Sequence, residues 1–241
     1  MEATLGAAGS RRGRWWVLAA LALAGLALLA AIVEISTESE DREKLVIDGV
    51  NDMQRTFGGV PQLGDRLGEA DAPVTIQIFS DIQCGSCDEH FLATVPDLVD
   101  DLVRPGEAKL VYRHYSFSPS PVQQGFIAAE AAGRQGYEWQ YVYLFFRNQD
   151  DAELGGVTGN FLESIAASVG EMDVAVWEQD FAAGGGPEGP ITAELVEQDE
   201  IARGLGLRAD PSAIVSGPRG TEKLQDSPSL EQLQAAVAAV G

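Results

Sequence analysis

Cysteine is scarce in this chain, with two among 241 residues. Two cysteines exclude a scaffold stapled by several disulfides and leave room for one bridge at most. Basic residues are also few, 16 against 37 acidic ones, for a formal net charge of −21. So negative a surface repels phosphate backbones and offers little to anionic headgroups, which excludes nucleic-acid binding as a first reading. No internal repeat is visible. Hydrophobic content of 45% and charged content of 22% exclude wholesale disorder.

Against this background, one uncharged run stands out: WWVLAALALAGLALLAAIV, residues 15–33. As a helix it spans roughly 28 Å, close to the hydrocarbon thickness of a bilayer. Arg11, Arg12 and Arg14 precede it, and Glu34, Glu38, Glu40 and Asp41 follow. By the positive-inside rule, residues 1–14 stay cytoplasmic and the remainder lies outside. A cleaved signal peptide has a shorter apolar core of ~7–15 residues. A buried core helix would carry a polar stripe, which this run lacks. The reading is an uncleaved signal-anchor in the cell membrane. With the three arginines and one glutamate before residue 34 set aside, 13 basic and 36 acidic residues remain, a net of −23. An oxidising compartment outside the membrane is where a disulfide persists.

Residues 34–60 read as a charged tether and a short amphipathic helix, with Val46, Val50, Met53 and Phe57 at helical spacing. Residues 74–79, VTIQIF, are β-branched and partly alternating, as in a buried strand. From Cys84 the pattern turns helical through Phe91, Leu92, Val95, Leu98, Val99 and Leu102, and Pro105-Gly106 closes it. KLVYRHYSF, residues 109–117, is a second strand. The stretch 119–205 holds helical patterns at 121–134, 137–149, 158–169, 171–182 and 191–203 and no convincing strand. Strands at 212–216 and 222–225 and a helix from Pro228 complete the chain.

The two cysteines form Cys84-Gly85-Ser86-Cys87 at a strand-to-helix junction. There the unpaired N–H groups and dipole of a helix N-terminus stabilise a thiolate. Cys87, one turn inward, is near enough to close a small ring with Cys84. The first sulfur would attack or be attacked, and the second would resolve the mixed disulfide. A zinc site of this spacing normally needs a second ligand pair, and no second pair of cysteines exists. His90 and His114 could join the cysteines around copper or zinc, but isolated histidines are more often packed residues, and no metal is expected. A merely structural bond would close too small a ring to staple much. Gly204 to Ala209 matches a loose dinucleotide fingerprint without the strand and helix it requires.

Several segments together resemble the DsbA-like branch of the thioredoxin superfamily, in its membrane-anchored form. They are LGEADAPVTIQIFSDIQCGSC, the acidic helix with Pro96 inside it, KLVYRHYSF, AAEAAGRQGYEWQYVYLFFRNQ and the run 206–220. The resemblance covers about residues 60–241. It implies an α/β thioredoxin-like fold, split by an inserted helical domain, behind one N-terminal transmembrane helix. The core would occupy residues 61–118 and 206–241, with the insertion at 119–205. It further implies a protein-disulfide oxidoreductase with Cys84 as nucleophile or attacked sulfur and Cys87 as resolving thiol. Pro211 stands at the family's cis-proline position, where Asp210 and Pro211 would face substrate. The expected activity is donation of disulfides to exported proteins, with a membrane or soluble redox partner and no cofactor. The alternatives are a reductase or isomerase of extracytoplasmic disulfides, and a thioredoxin-fold copper or zinc chaperone.

Three departures concern the tuning of the pair. Ile78 stands six residues before Cys84, where many thioredoxin folds carry a buried acid. The central dipeptide is Gly85-Ser86, without the Pro-His of strongly oxidising relatives, and Asp210 stands where the family more often has Thr or Val. Asp81, Asp88 and Glu89 add negative charge that offsets the ~0.3–1 kcal/mol of a helix N-terminus. The expected disulfide is a milder oxidant than in the strongest members.

Overall fold

A computed structural model describes Leu21 and residues 44–85, 87–116, 122–149 and 156–241. The expected membrane helix at 15–33 lies outside the described residues, apart from Leu21. Among the described residues no helix is long and apolar enough to cross a membrane. Residues Lys44–Gly241 form one compact unit.

Its centre is a six-stranded mixed sheet in the order β1-β2-β4-β3-β5-β6. The strands are β1 (Gln62–Leu63), β2 (Arg66–Leu67), β3 (Val74–Ser80), β4 (Ala108–His114), β5 (Ser212–Gly217) and β6 (Gly220–Leu224). β3 pairs parallel to β4 and antiparallel to β5, and so lies between them. A strand buried on both faces needs apolar residues on both. Val74, Ile76 and Ile78 enter the main core, while Phe79 joins Tyr115, Ala202, Leu207 and Ile214 in a second cluster.

Helices among the described residues include α1 (Val50–Phe57), α2 (Cys87–Leu98), α3 (Gln124–Gly133), α4 (Glu138–Arg147), α5 (Gly159–Ser168), α6 (Val174–Gly184), α7 (Pro190–Gly204) and α8 (Leu230–Val240). Helices α3 to α7 all fall between β4 and β5 in the chain. The aromatic residues of α4 are core. Phe91 of α2 packs on Phe146 at 4.9 Å, Trp139 at 6.1 Å and Tyr112 at 6.2 Å between ring centroids. Trp139 Nε1 also donates to the Asp65 carbonyl at 2.8 Å, tying α4 to the β1–β2 turn. Thus one aromatic cluster locks the helix that begins at Cys87 against the helical block.

The structure departs from expectation in four places. The helix expected from Cys84 begins at Cys87. Beyond Pro96, whose ring nitrogen cannot donate, α2 runs into a π-helical turn, Val99–Val103, before ending. Val46 does not share the buried face of α1; it lies ahead of the helix and is 87% exposed, whereas Met53 and Phe57 are buried. The β1–β2 hairpin was not expected, because strands of two residues leave no periodicity to read.

Candidate active site

β3 ends at Ser80, and the chain turns through Asp81, Ile82 and Gln83 to reach the cysteine pair. The Cys84 amide donates to the Asp81 carbonyl at 3.1 Å, and the Cys87 amide to the Cys84 carbonyl at 3.2 Å. Both bonds fold the turn so that Cys84 sits one turn ahead of the helix. The two sulfurs are joined in a disulfide, with Cα atoms 5.4 Å apart. Cys84 is half-buried, Gly85 is exposed and Cys87 is wholly buried as the first residue of α2. Ser86 lies outside the described residues. A sulfur nucleophile arriving from solvent can therefore reach Cys84 and not Cys87.

The turn is braced by the start of α3. Ile82 is fully buried, and Gln83 Oε1 accepts from the Gly125 amide at 3.0 Å. Only glycine fits at 125: a Cβ would lie 2.9 Å from Ile82 Cγ2, 3.0 Å from Gln83 Oε1 and 3.1 Å from Phe145. The Asp81 carboxylate is held in place too. It accepts from the Gln83 amide at 2.9 Å, from Gln123 Nε2 at 3.1 Å and from the Ser116 hydroxyl. Of the acids in the first turn of α2, Asp88 is half-buried and Glu89 is exposed.

Facing the pair is the segment that leads into β5. Pro211 is buried, follows a cis peptide bond from Asp210, and its carbonyl accepts from the Ser227 amide at 3.0 Å. Both Asp210 carboxylate oxygens accept from the Asp81 amide, at 3.0 and 3.1 Å. One carboxylate oxygen of Asp210 and the sulfurs of Cys84 and Cys87 all lie within 4.8 Å of one another. Burial pushes the Asp210 carboxyl up to about 7; the Asp81 amide opposes this and the Asp81 charge adds to it. The site so brings together Asp81, Cys84, Cys87, Asp210 and Pro211. On the strand below, Ile78 is buried in register with Ala213, so that strand offers the pair no carboxyl group at this level.

The histidines do not converge on the cysteines. His90 Nε2 is hydrogen-bonded to the Pro228 carbonyl at 2.7 Å, a packed histidine whose pKa burial lowers. His114 instead belongs to a buried polar cluster that sequence reading did not identify. Its Nε2 lies 3.1 Å from Glu138 Oε1 and 3.7 Å from Glu130 Oε1, and Glu130 accepts from Gln198 at 2.6 Å. These three side chains are also close enough to enclose a cation. The only signal for them in the sequence was two glutamates inside otherwise apolar helical runs.

Comparison with known proteins now identifies the architecture. Residues 64–239 match the family model described as Thioredoxin. The chain belongs to the thioredoxin family. Among named relatives it is 24% identical over 154 residues to the probable disulfide bond formation protein D of Bacillus cereus, covering 63% of this chain and 69% of that one. Its fold is similar to that of oxidised BdbD from Bacillus subtilis, with a TM-score of 0.61 at 18% identity over 74% of this chain and 95% of that one. It is also similar to a thioredoxin-like oxidoreductase from Silicibacter pomeroyi, with a TM-score of 0.52 at 25% identity over 78% and 95%. Within the thioredoxin family the chain is similar to DsbA-like thiol–disulfide oxidoreductases.

Proposed function

We propose that the chain is a membrane-tethered, extracytoplasmic oxidoreductase that donates the Cys84–Cys87 disulfide to exported proteins. The observation that carries this reading is the asymmetry of the pair: Cys84 is half-buried at the surface, Cys87 is wholly buried behind it. A substrate thiolate attacks Cys84 Sγ, forms a mixed disulfide and releases Cys87 as the thiolate. The substrate's second thiolate then attacks its own sulfur in that mixed disulfide, leaving with the new disulfide and freeing Cys84. Pro211 and Asp210 face substrate across the pair, while Asp81, Gly85 and Ser86 set its environment. Re-oxidation requires a membrane or soluble partner that accepts two electrons. The uncharged run 15–33, with arginines before it and carboxylates after it, supports the anchor and the outward placement. Residues 34–60 then act as the tether, and 119–205 as the helical insertion between core halves 61–118 and 206–241.

The reading is tested in cells by the Cys87→Ser variant, which retains Cys84 but cannot resolve. It accumulates mixed disulfides with exported proteins, and Cys84→Ser accumulates none. Absence of trapped partners from Cys87→Ser sinks the reading. A second reading, a reductase of extracytoplasmic disulfides, draws on the carboxyl group of Asp210 near the sulfurs, because negative charge there disfavours the thiolate and makes the disulfide less oxidising. The reduction potential separates the two directions.

A further inference from the structure

We propose that Asp210 is the proton-relay residue for Cys87, passing a proton to its sulfur as the disulfide opens and taking it back as the disulfide re-forms. This rests on the oxidoreductase reading above and adds a role for a residue that reading left as a facing surface.

Cys87 Sγ is wholly buried, so its proton must travel through the protein or an enclosed water. Ile78, on the strand beneath, has no proton to give. Asp210 does: its carboxyl oxygen lies within 4.8 Å of both sulfurs, a span one water bridges. The carboxyl is anchored by the Asp81 amide on both oxygens. Near neutrality it is divided between acid and carboxylate, as a relay requires. The other ionisable groups acting on it or on its neighbours are few. Asp81 acts on it directly; Tyr112 and Tyr115 feel its charge, with Glu138 acting on Tyr112 and Arg203 and Asp199 on Tyr115, and Asp88 and Glu89 stand on the first turn of α2. Asp81 is engaged by Gln83, Ser116 and Gln123.

The steps balance. The substrate thiolate bonds to Cys84 Sγ as the Cys84–Cys87 bond breaks, and the electron pair leaves on Cys87 Sγ. The Asp210 acid gives its proton to that sulfur and becomes a carboxylate. In the reverse direction the carboxylate takes the proton from the Cys87 thiol, which then attacks the mixed disulfide.

The test is the rate at which dithiothreitol reduces the oxidised full chain, wild type against Asp210→Asn, from pH 5 to 9. Asn keeps an oxygen for the Asp81 amide, and the rate ratio cancels the ionisation of dithiothreitol itself. The expected ratio of wild type to variant is about tenfold or more below pH 6, where Asp210 is the acid, and falls as pH rises through about 7. Asp210→Glu restores the profile. A ratio near one below pH 6 overturns the relay, even if the variant is faster at high pH, since a purely electrostatic role predicts that pattern. Wild type that does not exchange with dithiothreitol at any pH overturns the oxidoreductase reading and the relay with it.

Discussion

The backbone amide of Asp81 donates to both carboxylate oxygens of Asp210, at 3.0 and 3.1 Å, and so fixes a carboxyl group beside the Cys84–Cys87 disulfide. The turn carrying the cysteines and the segment entering β5 are thereby joined across the site. When the pair is reduced, Asp210 in its carboxylate form, present above about pH 7, opposes negative charge on Cys84, and Asp81, Asp88 and Glu89 stand near as well, against the ~0.3–1 kcal/mol contributed by the helix N-terminus. The Cys84 thiol is therefore expected to ionise above about pH 5, in contrast to the lowest thiolate values of such motifs. Asp210→Asn is expected to lower that value if Cys84 ionises above about pH 7, where Asp210 is a carboxylate, and to leave it unchanged if Cys84 ionises lower, where Asp210 is already the neutral acid. Thiolate absorbance against pH measures both. An ionisation below about pH 5 in the wild type refutes this view of the electrostatics.

Gly125 is a structural requirement of the cysteine turn, because any Cβ there meets Ile82, Gln83 and Phe145 at 2.9–3.1 Å. Gly125→Ala is expected to cost about 1–3 kcal/mol by overpacking. It should also slow exchange, since Gln83 loses its place on the α3 amide. Denaturant melts of the oxidised protein, paired with dithiothreitol kinetics, check both effects. A fully stable, fully active Gly125→Ala protein contradicts the bracing role.

The buried cluster of His114, Glu130 and Glu138 predicts a pH dependence of stability. Burial, then the Glu138 charge, raises Glu130 to about 7; burial raises Glu138 well above the usual range and lowers His114 to about 4. The raised carboxyls contribute stability that is complete below about pH 4.5 and is lost as pH rises through the folded values. His114 acts oppositely, contributing above about pH 6.5 and losing this as pH falls toward 4. Two carboxyls outweigh one imidazole, so the folded chain holds more protons and stability falls from pH 5 to 8, by about 1–3 kcal/mol. Glu130→Gln/Glu138→Gln is expected to flatten that slope while leaving most of the surface charge in place. Thermal melts across this range decide it, and an unchanged slope in the double variant removes the cluster as the cause.

Much of this architecture was legible because its signals are local. The β-branched run 74–79 reads as β3, the apolar spacing after Cys87 as α2, and the helical block through its periodicity. The cysteine pair is legible as a motif, and Pro211 through resemblance to a family. What was not legible depends on contacts distant in the chain. The β1–β2 hairpin is held by pairing of Arg66 and Leu67 with Val111 and Leu110, which no local pattern announces. Asp81 reads as one more acid near the cysteines, yet its amide holds Asp210, 129 residues away. Glu130, Glu138 and His114 meet only because α3, α4 and β4 pack together. Cys84 was expected to lie at the very start of the helix; its carbonyl instead accepts from Cys87, which opens it.

The central claim, that the Cys84–Cys87 bond is donated to substrates, is tested most directly by the reduction potential of the full chain equilibrated in glutathione buffers. A disulfide donor is expected between about −120 and −200 mV, toward the milder end given Asp210. A value near about −270 mV contradicts donation and makes the chain a reductant, and a pair still oxidised below about −300 mV is a structural bond.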